Sequence, residues 1–367
     1  MPTAPKIAII GAGPAGLTLA RILQVHNIPC TVFEKDPTST PRITNGGCLD
    51  LHPDSGQDAI KAAGLWHAFQ QLARYDGQAY IIADETGRQH IIIKDLDLAR
   101  PEIDRPLLRR MLLDSVHPDT VRWNRRLERV AEDADGIALH FAGGVVERGF
   151  GLVVRADGAW SRVRDALCTV PPFYAGLCGF EMWIRDPDGD WPDVSALAGN
   201  GSHGAAGRDG RLAVKAYVLE DFNDWAPEYK RVIEAVDGVV IPRSSYMLPV
   251  GTRWPHRRGV TLIGDAAHLM TPFAGEGVNA ALHDAFELAR RIAAEPGNLD
   301  AAVKEYEKEM FPRAAVFQQA LWESLQERFE EDGNEKLAAG FRKVAEELRN
   351  GSYVVEARCG VYYQRLV

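Results

Sequence analysis

Cysteine is scarce in this chain: five residues in 367 (Cys30, Cys48, Cys168, Cys178 and Cys359), scattered and without a CxxC pair. That excludes a disulfide framework and a thiolate metal cluster, and it points to a reducing, cytoplasmic compartment. No HExxH or comparable histidine cluster is present, so no metal site is expected. Long hydrophobic runs are missing as well. The apolar stretches at Ile7–Ile10 and Val260–Ile263 are strand-sized, far short of a membrane span, and the opening MPTAPKIAII carries no signal-peptide pattern. Basic charge is in deficit: 42 Lys+Arg against 51 Asp+Glu leave a net charge of −9, which argues against a nucleic-acid partner. Repeats and low-complexity tracts are absent. What remains, 46% hydrophobic and 25% charged residues, is the balance of a globular chain of two domains or one large domain with an insert.

The apolar run at 6–10, bounded by glycine, predicts a buried parallel strand, followed by a helix over 14–26 and a second strand over 31–34. This is a β-α-β unit. Further along, the spacing predicts a helix over 55–73, a hairpin over 79–94, a helix over 105–116 and short strands over 120–158. From about 172 to 250, Gly, Pro, Asp and Trp become dense and strands are expected over 178–184 and 212–218, as in a sheet-based insert. A buried strand returns at 260–263, with helices expected over 276–293, 299–331 and 334–349. Pro312 falls inside the second of these and should kink or break it.

Three motifs carry chemistry. Gly11-Ala12-Gly13-Pro14-Ala15-Gly16 stands between strand and helix, and Glu34 closes the next strand. Gly11 permits the tight turn, Gly13 lets backbone approach a pyrophosphate, and Gly16 lets the helix pack on the strand. The helix start offers free N–H groups to phosphate, and a carboxylate at Glu34 accepts ribose hydroxyls. Asp157-Gly158 follows a strand, with Ser161 placed as a helix cap. Gly264-Asp265 ends an apolar strand and leads through a glycine-rich turn to a helix start near Gly277. Asp265 thus stands at the strand edge where open α/β sheets bind ligands, whereas His268 reads as a satisfied core histidine.

In this order and spacing the motifs resemble those of the class A flavin-dependent monooxygenases of p-hydroxybenzoate-hydroxylase fold. The runs Gly46–His52, Ile103–Arg109, Ala226–Lys230 and Gly264–Met270 are similar to the tetracycline-inactivating members of that group. The resemblance implies an α/β fold: a Rossmann-like FAD-binding domain (1–171 and 251–297), an inserted β-sheet substrate domain (172–250) and a C-terminal helical segment (298–367) with a bridging helix. It implies FAD as cofactor and NADPH as a transient donor without a GxGxxG motif of its own. A flavin C4a-hydroperoxide would pass one oxygen atom of O2 to an aromatic or polycyclic phenol or enol. Tetracycline-like compounds are among the implied substrates, which would make the protein an antibiotic-resistance enzyme, and a monomer is implied.

Carried over by motif, the cofactor residues are Gly11, Gly13, Pro14, Ala15 and Gly16 in the loop, and Glu34 with the adjacent Lys35 at the adenosine. Arg42 is expected near the flavin or NADPH phosphates, Gly47 and Asp50 near the flavin, and Arg109 and Asp157 near the pyrophosphate. Asp265 is expected at the ribityl chain, with Pro272, Gly277, Val278 and Asn279 along the ring. Substrate contacts fall on Glu181, Trp183, His203, Pro272, Phe273 and Gly275, with a solvated sheet edge as the alternative for Glu181 and His203. Strand alternation puts Glu181 and Trp183 on one face. No catalytic side chain is expected, because the flavin carries the chemistry. Two departures stand out: position 276 is Glu where the family often has Gln, and the stretch 205–222 is short. An FAD oxidoreductase without oxygen insertion and a non-catalytic aromatic-binding flavoprotein remain alternatives.

Overall fold

The computed structural model describes residues 6–40, 47–75, 80–93, 99–133, 136–161, 164, 167–198, 206–207, 215–237, 240–272, 275–330 and 332–349. The run KIAII forms the strand Lys6–Ile10, whose last four residues are buried. Apolar side chains on both faces are what a parallel strand under two layers requires. It lies inside a seven-stranded sheet in the order Val121–Arg122, Cys30–Phe33, Lys6–Ile10, Val146–Arg155, Gly136–Phe141 and Leu127–Asp133, with Val260–Leu262 also paired to Val146–Arg155. The long strand Val146–Arg155 serves two partners along one edge. Its first half pairs antiparallel with Gly136–Phe141, and its last three residues pair parallel with Val260–Leu262.

That arrangement sets the register of everything that follows. Ile10 is opposite Arg155, and Arg155 is opposite Leu262. Three strands therefore end level, and the turns beginning at Gly11, Ala156 and Ile263 leave the same edge of the sheet. On one face the helices Pro14–Val25, Arg105–Ser115, Glu276–Ala294 and Leu299–Arg328 bury Ile7, Ile9, Val154 and Leu262 with Leu17, Leu282, Leu288 and Tyr306. On the other, Ala8, Ile10 and Val153 pack with Phe33 and Phe141, whose rings lie 4.8 Å apart.

Where local pattern and structure differ, tertiary context explains it. The helix expected over 55–73 is broken into Asp58–Ala62 and Trp66–Leu72, because Gly64 takes a left-handed conformation (φ +70°) that ends the first piece. The strand expected over 212–218 lies partly outside the described residues, and Lys215–Asp221 is helical, straight through Val218 and Leu219. Val218 and Phe222, four apart, bury together against Ile233 and Val236, which is a helical spacing. Pro312 does not break Leu299–Arg328. It sits on the exposed side, where the carbonyl it leaves without a partner faces water. Residues 172–250 contain a sheet of three strands, Ala206–Gly207, Phe173–Glu181 and Ile241–Met247. Among the described residues no helix is long and apolar enough to cross a membrane.

Candidate active site

The glycine loop is built under close steric limits. Gly11 has φ +108°, and a Cβ there would lie 2.5 Å from the Ala156 carbonyl oxygen. A Cβ on Gly16 would overlap the Gly11 carbonyl, whereas one on Gly13 would meet nothing within 4 Å among the described residues. The first and third glycines thus let strand, helix and the Asp157 turn touch, while the middle one faces open space. The Gly11 N–H donates to the Phe33 carbonyl at 2.8 Å, and the Ala12 N–H donates to Glu34 Oε2 at 2.6 Å. Glu34 is buried, and its other oxygen accepts the Asp36 N–H at 3.0 Å. From the opposite wall Arg109 Nε donates to the Ala12 carbonyl at 3.0 Å. The helix starting at Pro14 has no side-chain cap, so Ala15 and Gly16 present the N–H groups that a helix start leaves for an anion.

This loop opens into a cleft of about 900 Å³ that runs from Gly11–Pro14 and Glu34 past Arg109 and Asp157 to Trp160, Pro272 and the Glu181–Arg243 pair. Lys35, Arg105 and Arg110 join Arg109 on its walls, a basic lining in a chain of net negative charge. Glu181 accepts from Arg243 Nε at 2.7 Å, across the two neighbouring strands of the small sheet. Trp160 is 63% exposed and meets Tyr246 edge-on at 4.9 Å.

The second and third turns are tied together by Arg164. Its Nε donates to the Ala266 carbonyl at 2.8 Å, and its Nη2 donates to the carbonyls of Ala159 at 2.8 Å and Asp265 at 3.2 Å. Asp157 pairs with Arg155, which is completely buried. The Ser161 hydroxyl, expected to cap a helix, is buried without a partner among the described residues. Gly264 is left-handed (φ +61°), and its N–H donates to Asp284 at 2.8 Å. That turn puts Asp265 in contact with solvent, yet protein surrounds it, and desolvation raises its carboxyl above the ordinary range against the pull of His268, Arg105 and Arg164. His268 is buried against Asp284 with Nε2 2.6 Å from the carboxylate, while its Nδ1 has no partner among the described residues. Replacing Arg164 strands three backbone carbonyls, so Arg164→Met is expected to cost about 3 kcal/mol in urea unfolding and to weaken any ligand held between the turns.

At the start of Glu276–Ala294 the chain again turns through a left-handed glycine, Gly275 (φ +69°), whose Cβ would fall 2.6 Å from Asp50 Oδ1. Asn279 is fully buried: its amide donates to the Asp50 and Gly275 carbonyls at 3.0 Å each and accepts the His52 N–H at 2.9 Å. Its side chain therefore latches the helix start onto the strand Cys48–Asp50. Val278 packs on the main core, and a Cβ on Gly277 would meet nothing within 4 Å among the described residues. Trp183 is 46% exposed and lies beyond the strand, which ends at Glu181, and it is not among the residues that line the cleft. Arg42, His203 and Phe273 lie outside the described residues.

Residues 5–173 and 249–321 match the FAD binding domain family. The chain is a class A flavin monooxygenase. It is 30% identical over 435 residues to the monooxygenase asqM of Emericella nidulans, covering 91% of this chain and 98% of that protein. Its fold matches Klebsiella pneumoniae HpxO, solved with FAD and uric acid, with a TM-score of 0.75 at 22% identity over 95% of this chain and 94% of the other. The tetracycline destructase Tet(55) aligns with a TM-score of 0.71 at 17% identity over 98% of this chain and 99% of the other.

FAD, the cofactor of this monooxygenase family, suits the residues present. Gly13 leaves space, not a side chain, where backbone must meet a pyrophosphate, and the cleft falls in the volume range of small-molecule sites. Several members of the site left little trace in sequence. Arg243 reaches the cleft only because its strand pairs with Phe173–Glu181. Trp160 and Arg164 lie inside the Asp157 motif, which in sequence gives neither a role of its own.

Proposed function

We propose that this monooxygenase uses NADPH and O2 to insert one oxygen atom into an aromatic or polycyclic phenol or enol, with tetracycline-like molecules within the class. The observation that supports this reading is the single cleft joining the glycine loop to a wall carrying Trp160, Pro272 and the Glu181–Arg243 pair. One end of it has the N–H groups and arginines a dinucleotide needs; the other has an exposed indole and a paired charge, fit for a flat, polar-edged molecule. HpxO, of like fold, was solved with uric acid, itself a flat heterocycle.

In this reading the bound flavin supplies hydride acceptance and oxygen activation, and the protein binds, orients and excludes water. The loop N–H groups and Arg109 would hold the pyrophosphate, Glu34 the ribose through its remaining lone pairs, and Asp265 the ribityl hydroxyls. Pro272, Gly275 and Gly277 would border the ring, with the helix start favouring negative charge on its near edge. Residues 172–250 would form the substrate-facing insert. Purified protein loaded with FAD should oxidise NADPH faster when its substrate is present, in a screen of phenols, aminohydroxybenzoates, purines and tetracyclines. Mass spectrometry should then show a product heavier by one oxygen atom. Stimulated NADPH loss with hydrogen peroxide as the sole product, or dehydrogenation without added oxygen, would remove this reading in favour of a simple oxidoreductase.

A further inference from the structure

Beneath the start of the helix Glu276–Ala294 lies an arrangement that flavin binding does not require. His52 is buried with both ring nitrogens facing carboxylates: Nε2 is 2.9 Å from Asp50 Oδ2, and Nδ1 is 2.8 Å from Glu276 Oε1. A neutral imidazole has one donor and one acceptor nitrogen, so one carboxylate would face a lone pair. Two ionised carboxylates at hydrogen-bond distance therefore call for an imidazolium. The side chains of His52 and Glu276 are 8% and 6% exposed, whereas Asp50 is 27% exposed and rests on Gly275, so Asp50 is the most exposed of the three. Asn279 fixes the geometry by bonding the backbone of both Asp50 and His52.

We propose that Asp50, His52 and Glu276 form a proton-holding triad under the flavin edge, and that Glu276, acting through His52, is a positioning residue that sets the reduction potential of the ring. The inference rests on the flavin placement given under the proposed function. The charged groups that face His52 are Asp50, Glu276 and, through space, Arg100. Burial alone would lower the imidazole, but Glu276 and Asp50 carry it above its ordinary value, in the direction of the cation that the two hydrogen bonds call for. The triad then bears one net negative charge. With Gln at position 276 it bears none while His52 is protonated, and one again once His52 has lost its proton. Hydride transfer from NADPH to FAD yields NADP+ and the anionic reduced ring, so a more negative surrounding disfavours the reduced state.

The test compares FAD-loaded wild-type protein with Glu276→Gln, equilibrated against a reference dye from pH 6 to pH 9. The variant should show a reduced-to-oxidised flavin ratio roughly tenfold higher at pH 6, a difference that fades toward pH 9. Equal ratios at every pH, or a constant offset, overturn the triad. Should the variant fail to fold, ring signals of labelled histidine in the wild-type protein decide: an imidazolium at His52 at pH 8 supports the proposal, and a neutral ring overturns it. A wild-type protein that takes up no FAD overturns the site reading beneath it as well, whereas loaded proteins of equal potential overturn the triad alone.

Discussion

Gly13→Ala yields a protein that melts like the wild type but holds FAD roughly a hundredfold more weakly, about 2.7 kcal/mol, whereas Gly11→Ala loses both flavin and stability. The two glycines sit in one loop yet face different things. Gly13 has extended backbone (φ −82°, ψ 178°), which any residue adopts, and a Cβ there meets nothing within 4 Å among the described residues. Without ligand the added methyl costs nothing; with ligand it stands where the pyrophosphate must approach the backbone. At Gly11 the backbone is left-handed, and a Cβ would lie 2.5 Å from the Ala156 carbonyl oxygen, a backbone atom that cannot swing aside. Strain of about 1–3 kcal/mol is expected there, and the Asp157 turn must shift. Thermal melts of the apoproteins and fluorescence titration with FAD separate the two effects. Wild-type affinity in Gly13→Ala would move the phosphate site away from this loop.

Much of this was legible because it is local. Each glycine loop is preceded by an apolar strand, so strand, turn and helix could be placed from spacing alone, and the buried runs at 6–10 and 260–263 formed as read. That the three turns converge is a property of register: Ile10, Arg155 and Leu262 stand level only because Val146–Arg155 pairs with both other strands. Long-range side-chain partners were not legible. Glu276 was visible as a departure from the usual Gln, but the histidine that compensates its charge lies far upstream and is brought in by Asn279. Residues 215–218 are helical and not extended, because a short aliphatic run fits strand and buried helix equally until its neighbours are known.

Asp284→Asn should lower the free energy of unfolding by about 3–5 kcal/mol at neutral pH, the usual cost of breaking a buried ion pair by removing one partner. Asp284 is fully buried and accepts from His268 Nε2 at 2.6 Å, Gly264 N–H at 2.8 Å and Arg313 Nη2 at 2.9 Å. Burial alone would raise its carboxyl, but His268, Arg313 and the Gly264 N–H hold it far below the ordinary range. A depressed folded-state pKa stabilises the native form at every pH above the unfolded value, near 3.9, and that contribution is lost as acid protonates the folded carboxylate. Urea melts should therefore show a gap between wild type and variant that is constant from pH 8 to about pH 5 and closes on further acidification. A gap that persists undiminished at pH 2–3 would assign the loss to packing alone. The same carboxylate anchors the left-handed turn at Gly264 just before Asp265, which the proposed function puts at the ribityl chain, so the variant should also release FAD faster. Arg313 keeps a second partner in Glu309, at 2.8 Å, and is not left wholly unpaired. The Gly264 N–H keeps only a neutral acceptor, which makes flavin release the more sensitive of the two readouts.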